Sequence, residues 1–156
     1  MIFQHVTKSE YADNIRSTGF SLDAAGSHGG AQMGRAVYLS QNPDLWLHKL
    51  ADQSDMEVLD VEVDMACVLD DLREFPVGDF DAWAVKNGYL DQDGPTAKFQ
   101  AKVAEVGGWF DDALWHVKAE YLQAQGFDGM WDRKFCNLVI WNLEVLKVID
   151  SEADHA

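Results

Sequence analysis

Leu59-Asp60-Val61-Glu62-Val63-Asp64-Met65 alternates apolar and acidic side chains. Successive side chains of an extended chain point to opposite faces, so this stretch predicts a strand with one face on a core and the other in water. Upstream, Ile2–Val6 predicts an opening strand. Ser9 is expected to cap a helix that carries Tyr11, Ala12 and Ile15 on one face and stops at Gly19. Residues 23–34, with glycines at 26, 29, 30 and 34, predict a loop. Ala36-Val37-Tyr38-Leu39-Ser40 reads as a buried strand, and Pro43 suits the first turn of a helix through Leu45, Trp46 and Leu50. Downstream, glycines and Pro95 break residues 70–111 into short helical or irregular pieces. Leu114, Val117, Tyr121 and Leu122 mark an amphipathic helix closed by Gly126. Strands follow at Gly129-Met130-Trp131, at Leu138-Val139-Ile140-Trp141 and over Val145–Ile149. Strands and helices do not alternate regularly, and no Gly-x-Gly-x-x-Gly or Walker loop follows a strand. The expected class is therefore mixed α+β, not a doubly wound sheet.

A length of 156 residues, 47% of them hydrophobic, with six Trp, predicts one domain over 1–150 and a frayed tail over 151–156. The 27 acidic and 12 basic residues leave a net charge of −15, which disfavours free nucleic acid and anionic membranes as partners. No apolar run approaches the ~20 residues of a membrane span, and the N-terminus lacks the pattern of a signal peptide. A cytoplasmic location is expected. The two cysteines, Cys67 and Cys136, form no C-x-x-C pair, and the five histidines have no metal-ligand spacing, so no metal is expected.

Three separated pieces together resemble the diphtheria-toxin and poly(ADP-ribose)-polymerase branch of the ADP-ribosyltransferases. Phe3-Gln4-His5-Val6-Thr7 is similar to that family's His-Gly-Ser/Thr strand. Gly34-Arg35-Ala36-Val37-Tyr38-Leu39-Ser40 is similar to its Gly-Lys-Gly-Ile-Tyr-Phe strand. Gly126-Phe127-Asp128-Gly129, with Asn137-Leu138-Val139-Ile140-Trp141-Asn142 after it, looks like its late Gly-Tyr-Asp-Gly turn and Glu-x-Val-Val-Phe strand. The helix before Gly19-Phe20 looks like its Ile-x-x-x-Gly-Phe element. The resemblance spans roughly the first 50 and last 35 residues. It implies a split mixed or antiparallel sheet with flanking helices, NAD as substrate, and transfer of ADP-ribose to a macromolecular acceptor, a protein in the leading reading, with release of nicotinamide.

On that resemblance, His5 would hydrogen-bond a ribose hydroxyl of NAD⁺, the Val6 backbone would meet the nicotinamide carboxamide, and Thr7 would add a hydroxyl. Tyr38 would stack on the cationic ring, with Ser40 at the end of the same strand. Arg35 would meet the pyrophosphate or the acceptor, and Trp46 and His48 would line the opposite wall. Two residues depart from the pattern. Val6 stands where the family has Gly, and Asn137 stands where it has a Glu that stabilises the developing ribose cation. Asn can hydrogen-bond a hydroxyl but brings no charge. Asp132 or Glu120 could supply a carboxylate instead. Mono-ADP-ribosyl transfer, as by a bacterial or phage effector, is the leading expectation. A catalytically impaired acidic binding or inhibitor protein and an NAD glycohydrolase are the alternatives. Trp83 and Trp109 look exposed and could serve partner recognition.

Overall fold

A computed structural model describes residues 1–22, 35–42, 55–134 and 137–149. Strand β1 (Ile2–Lys8) runs into helix α1 (Ser9–Thr18); β2 (Val37–Leu39), β3 (Met56–Val63) and the short β4 (Val68–Leu69) follow. A 3₁₀ turn at Leu72–Glu74, α2 (Val77–Lys86), the hairpin β5 (Leu90–Asp91) and β6 (Gly94–Pro95), α3 (Ala97–Glu105) and α4 (Phe110–Ala124) make up the middle. The chain closes with β7 (Gly129–Asp132), β8 (Asn137–Ile140), a 3₁₀ turn at Leu143–Val145 and β9 (Leu146–Ile149). The architecture is mixed α+β.

Two sheets carry the fold, in the orders β1-β3-β9 and β2-β8-β7-β4, with every pair antiparallel except β4–β7. One antiparallel bridge, Gln4 to Ser40, joins their edges. The alternation read in β3 holds: Leu59, Val61 and Val63 are buried, whereas Val58 and Glu62 are exposed. Those buried residues meet Phe3, Val37, Leu39, Trp131, Leu138 and Ile140 in one core, with Ala12 and Ile15 of α1 closing it. A second core lies on the other face of β2-β8-β7, where Val139 and Met130 pack with Phe80 and Ala84 of α2, Phe99 of α3, and Val117, Tyr121 and Leu122 of α4.

Local chemistry sets the joints. Ser9 does not cap α1. Lys8 occupies the cap position without a side-chain bond, and the Ser9 amide and hydroxyl both donate to the Asp55 carbonyl, at 2.7 and 2.9 Å. Asp55 has φ 62°, the left-handed turn that aims this carbonyl at the helix start. Asp111 and Asp112 favour the N-terminal end of α4 through its dipole. The Gly126–Gly129 turn is clamped to the end of β8. Asp128 takes both the Trp141 and Asn142 amides on its carbonyl and the Asn142 side chain on its carboxylate, while the Trp141 indole donates to the Phe127 carbonyl at 2.6 Å.

Residues 70–111 are more ordered than the glycines suggested, and Trp83 is not exposed: it is half-buried, stacked between Phe80 and Tyr89 and edge-on to Tyr121. Trp109 is 70% exposed. The helix expected from Pro43, the loop over 23–34, Trp46, His48, Cys136 and the tail over 151–156 lie outside the described residues. Phe3, fully buried and edge-on to Trp131 at 5.1 Å, locks β1 to β7. Phe3→Ala should cost about 3–5 kcal/mol, since the deleted ring leaves a cavity between two sheets; urea unfolding measures it.

Candidate functional site

The backbone pattern of β1 fixes which groups face β2. Met1 pairs with Val63 through both backbone bonds, and the Ser9 amide donates to Asp55. Odd-numbered residues of β1 therefore bond toward β3, and even-numbered residues present N–H and C=O to the other side. Gln4 uses that side on Ser40, with bonds of 2.6 and 2.8 Å. The next rung would join Val6 to Tyr38, but it is not made. The His5 ring takes its place: Nδ1 lies 2.9 Å from the Tyr38 carbonyl oxygen. Val6 is left with an N–H and a C=O aimed into the gap between the sheets, without a hydrogen-bond partner among the described residues.

Burial lowers the His5 pKa below its usual 6.5, against a smaller opposing effect of the Tyr38 carbonyl. A neutral ring facing a carbonyl must carry its proton on Nδ1, because the carbonyl only accepts. Nε2 is then an acceptor, so the ring offers a ligand one acceptor and no second donor. Phe20 packs edge-on against the ring at 5.1 Å and holds its plane. A neutral half-buried His also ties stability to pH. The unfolded chain binds this proton more readily than the folded one, so the contribution is complete above about pH 6.5 and is lost as pH falls below it. Urea unfolding should show a loss of stability on acidification through that range, and the loss should shrink in His5→Gln.

The other face of the joined sheets carries a row. The β2–β8 register places Tyr38 opposite Val139 and, continued by one residue, Ser40 opposite Asn137. Asn137 in turn faces Asp132 in the last rung of β7–β8. Gln4, Ser40, Asn137 and Asp132 thus stand side by side across four strands, on one face, with Tyr38 and Val6 one rung along. Ser40 is buried and its hydroxyl accepts from the Asn42 amide. Asn137 Oδ1 is buried and has no hydrogen-bond partner among the described residues, where an unpaired acceptor's desolvation is uncompensated.

The structure thus brings Val6, Tyr38, Ser40 and Asn137 to one face beside the gap. His5 joins them through the Tyr38 carbonyl, while its ring sits on the opposite face with Phe20 and the α1 core. Thr7 is buried on the His5 side, and Arg35 is exposed at the bend before β2. The Val6 side chain stands on the open face opposite Val58, perpendicular to its own N–H and C=O, so its methyl groups lie out of line with the backbone edge. Glu120 is committed elsewhere: it accepts from the Tyr89 hydroxyl at 2.5 Å and pairs with Lys102 at 3.1 Å in the helical layer. Glu144 lies on the 3₁₀ turn after β8, exposed, and lines a groove of about 410 Å³ between α1 and β9 that Phe20 also lines.

Among the described residues no group of three or more His, Cys, Asp or Glu could hold a metal ion, and no helix is long and apolar enough to cross a membrane. Reading the sequence alone missed Gln4, whose bridge defines the gap, and the packing of Phe20 on His5. Neither carries a signal beyond its place in a strand or a motif. In comparisons with known proteins, no family model, no curated protein and no solved structure matches the chain.

Proposed function

We propose that the gap between β1 and β2 binds NAD⁺, and that the protein transfers its ADP-ribose unit to a protein acceptor, releasing nicotinamide, on an ADP-ribosyltransferase-like split sheet. The observation that carries this reading is the missing Val6–Tyr38 rung. A backbone N–H and C=O side by side are the complement of a primary carboxamide, which has one acceptor and two donors. Beside that edge lie an aromatic ring, Tyr38, suited to a flat cationic ring, and an imidazole acceptor, His5 Nε2, suited to a ribose hydroxyl. Cleavage builds positive charge on the ribose, and oriented acceptors around it favour that state over the substrate.

Arg35, at the mouth of β2, is available to the pyrophosphate. Incubation with NAD⁺ labelled in its adenylate half, together with a cell lysate, tests the proposal. Label on protein from the parent, absent with Tyr38→Ala, is the expected result. Nicotinamide release without label means hydrolysis, and neither product means that the acidic surface serves binding alone.

A further inference from the structure

We infer that the open edge of β9 and the groove beside it dock an extended segment of a partner protein, which adds to the sheet β1-β3-β9 as a further, antiparallel strand. β9 ends that sheet among the described residues. The Asp64 amide donates to the Val145 carbonyl, in the same register that pairs Glu62 with Lys147 and Asp60 with Ile149. Odd-numbered residues of β9 therefore bond toward β3, and even-numbered residues present N–H and C=O to the outside. The Leu143 carbonyl takes the Leu146 N–H. The Leu146 C=O and the Val148 N–H and C=O remain along the edge, without a hydrogen-bond partner among the described residues.

The same two residues set what the segment must carry. Leu146 lies opposite Val63 and Val148 opposite Val61, so their side chains stand on the core face of the sheet, where α1 packs. Between them and α1 runs the groove of about 410 Å³, with Ile15 and Phe20 on its other wall. Residues of an incoming strand directly opposite Leu146 and Val148 project onto that face and into the groove, so they are apolar. The residue between them projects to the other face beside the exposed Lys147, where a carboxylate suits it. Glu144 lines the groove, is exposed and has no ion pair among the described residues, whereas Arg16 on the α1 side is already paired with Asp13 and Glu57, each at 3.2 Å. A basic residue two positions past the second apolar one comes next to Glu144.

Along an antiparallel strand the pattern is therefore apolar, acidic, apolar, any residue, basic. Recognition of this kind draws affinity from backbone bonds and specificity from alternate side chains. The antiparallel direction is that of the existing β3–β9 pair and the more stable one per residue. A second copy of the chain is a poor occupant. Matching Leu146 with Val148 of a copy sets Lys147 against Lys147, and each chain carries a net charge of −15.

The test titrates the protein with a fluorescent, capped peptide of sequence Thr-Val-Glu-Val-Thr-Lys and with two forms of it that keep every side chain. One is N-methylated at both valine amides, which would point at β9, and the other at the glutamate amide, which would point away. The parent peptide should bind saturably. Methylation of the valine amides should weaken binding roughly tenfold or more, since two hydrogen bonds are lost, and methylation of the glutamate amide should leave it unchanged. Val148→Pro should also weaken binding roughly tenfold, with folding retained by circular dichroism. The N–H it removes is not used on β3, and proline is tolerated on an open edge. Equal affinity of the two methylated peptides overturns strand addition, and loss confined to the glutamate-methylated form overturns the antiparallel direction. No binding of the parent peptide up to millimolar concentration overturns the proposed segment. Self-association of the protein in sedimentation, abolished by Val148→Pro, makes a second copy the occupant and overturns the partner.

Discussion

Alanine at Gly129 should destabilise the protein by about 3 kcal/mol or more, the upper end of overpacking costs. The new Cβ would run into the Val139 carbonyl oxygen and come within 2.5 Å of Ile140 Cδ1 and 3.1 Å of Ile140 Cα. All three belong to β8, which Gly129 faces in the first rung of β7. The strands cannot part to make room, because Asp128 ties the preceding turn to Trp141 and Asn142, just past the end of the same strand. Gly78 is the control. It lies in the first turn of α2 with nothing within 4 Å of an added Cβ, and Gly78→Ala should be neutral or stabilise by up to about 1 kcal/mol. Denaturant midpoints of the two variants should move in opposite directions or by very different amounts.

His5→Ala should lower nicotinamide release roughly 100-fold, the scale on which misplaced reactants lose rate. The substitution removes the Nε2 acceptor. It also frees the Tyr38 carbonyl, so β1 and β2 can zip together at Val6 and close the edge offered to the carboxamide. His5→Asn separates the two effects. Its amide can donate to the Tyr38 carbonyl and help hold the gap, but it places no acceptor where Nε2 lies. It should lose a similar share of turnover while retaining more stability than His5→Ala. Steady-state rates and thermal unfolding on the same preparations distinguish the cases.

Most strands of the two sheets were legible because burial on one face imposes a period of two, and β3 shows it residue by residue, whereas the two-residue β4 was too short to show a period. Helix α4 was legible for the same reason at the helical period. Ser9 misled because a capping residue type is only a preference; the left-handed Asp55, far away in sequence, supplies a carbonyl that claims the hydroxyl first. Trp83 misled because its cover comes from Tyr89 and Tyr121, and nothing local to residue 83 announces them. At the site, residue types drew attention to His5, Tyr38 and Asn137. Their relation could not be read that way. It depends on pairing register and on a rung replaced by a side chain, both properties of strands brought together from opposite ends of the chain. Asp132 and Glu120 were equivalent as carboxylates until register put one beside Asn137 and packing put the other beneath Tyr89.

The most direct measurement is calorimetric titration of the protein with NAD⁺, repeated with Tyr38→Ala and His5→Ala. The account predicts saturable binding by the parent that weakens at least tenfold in each variant, with folding retained by circular dichroism. No heat from the parent, or equal affinity in all three proteins, would contradict the placement of NAD⁺ between β1 and β2.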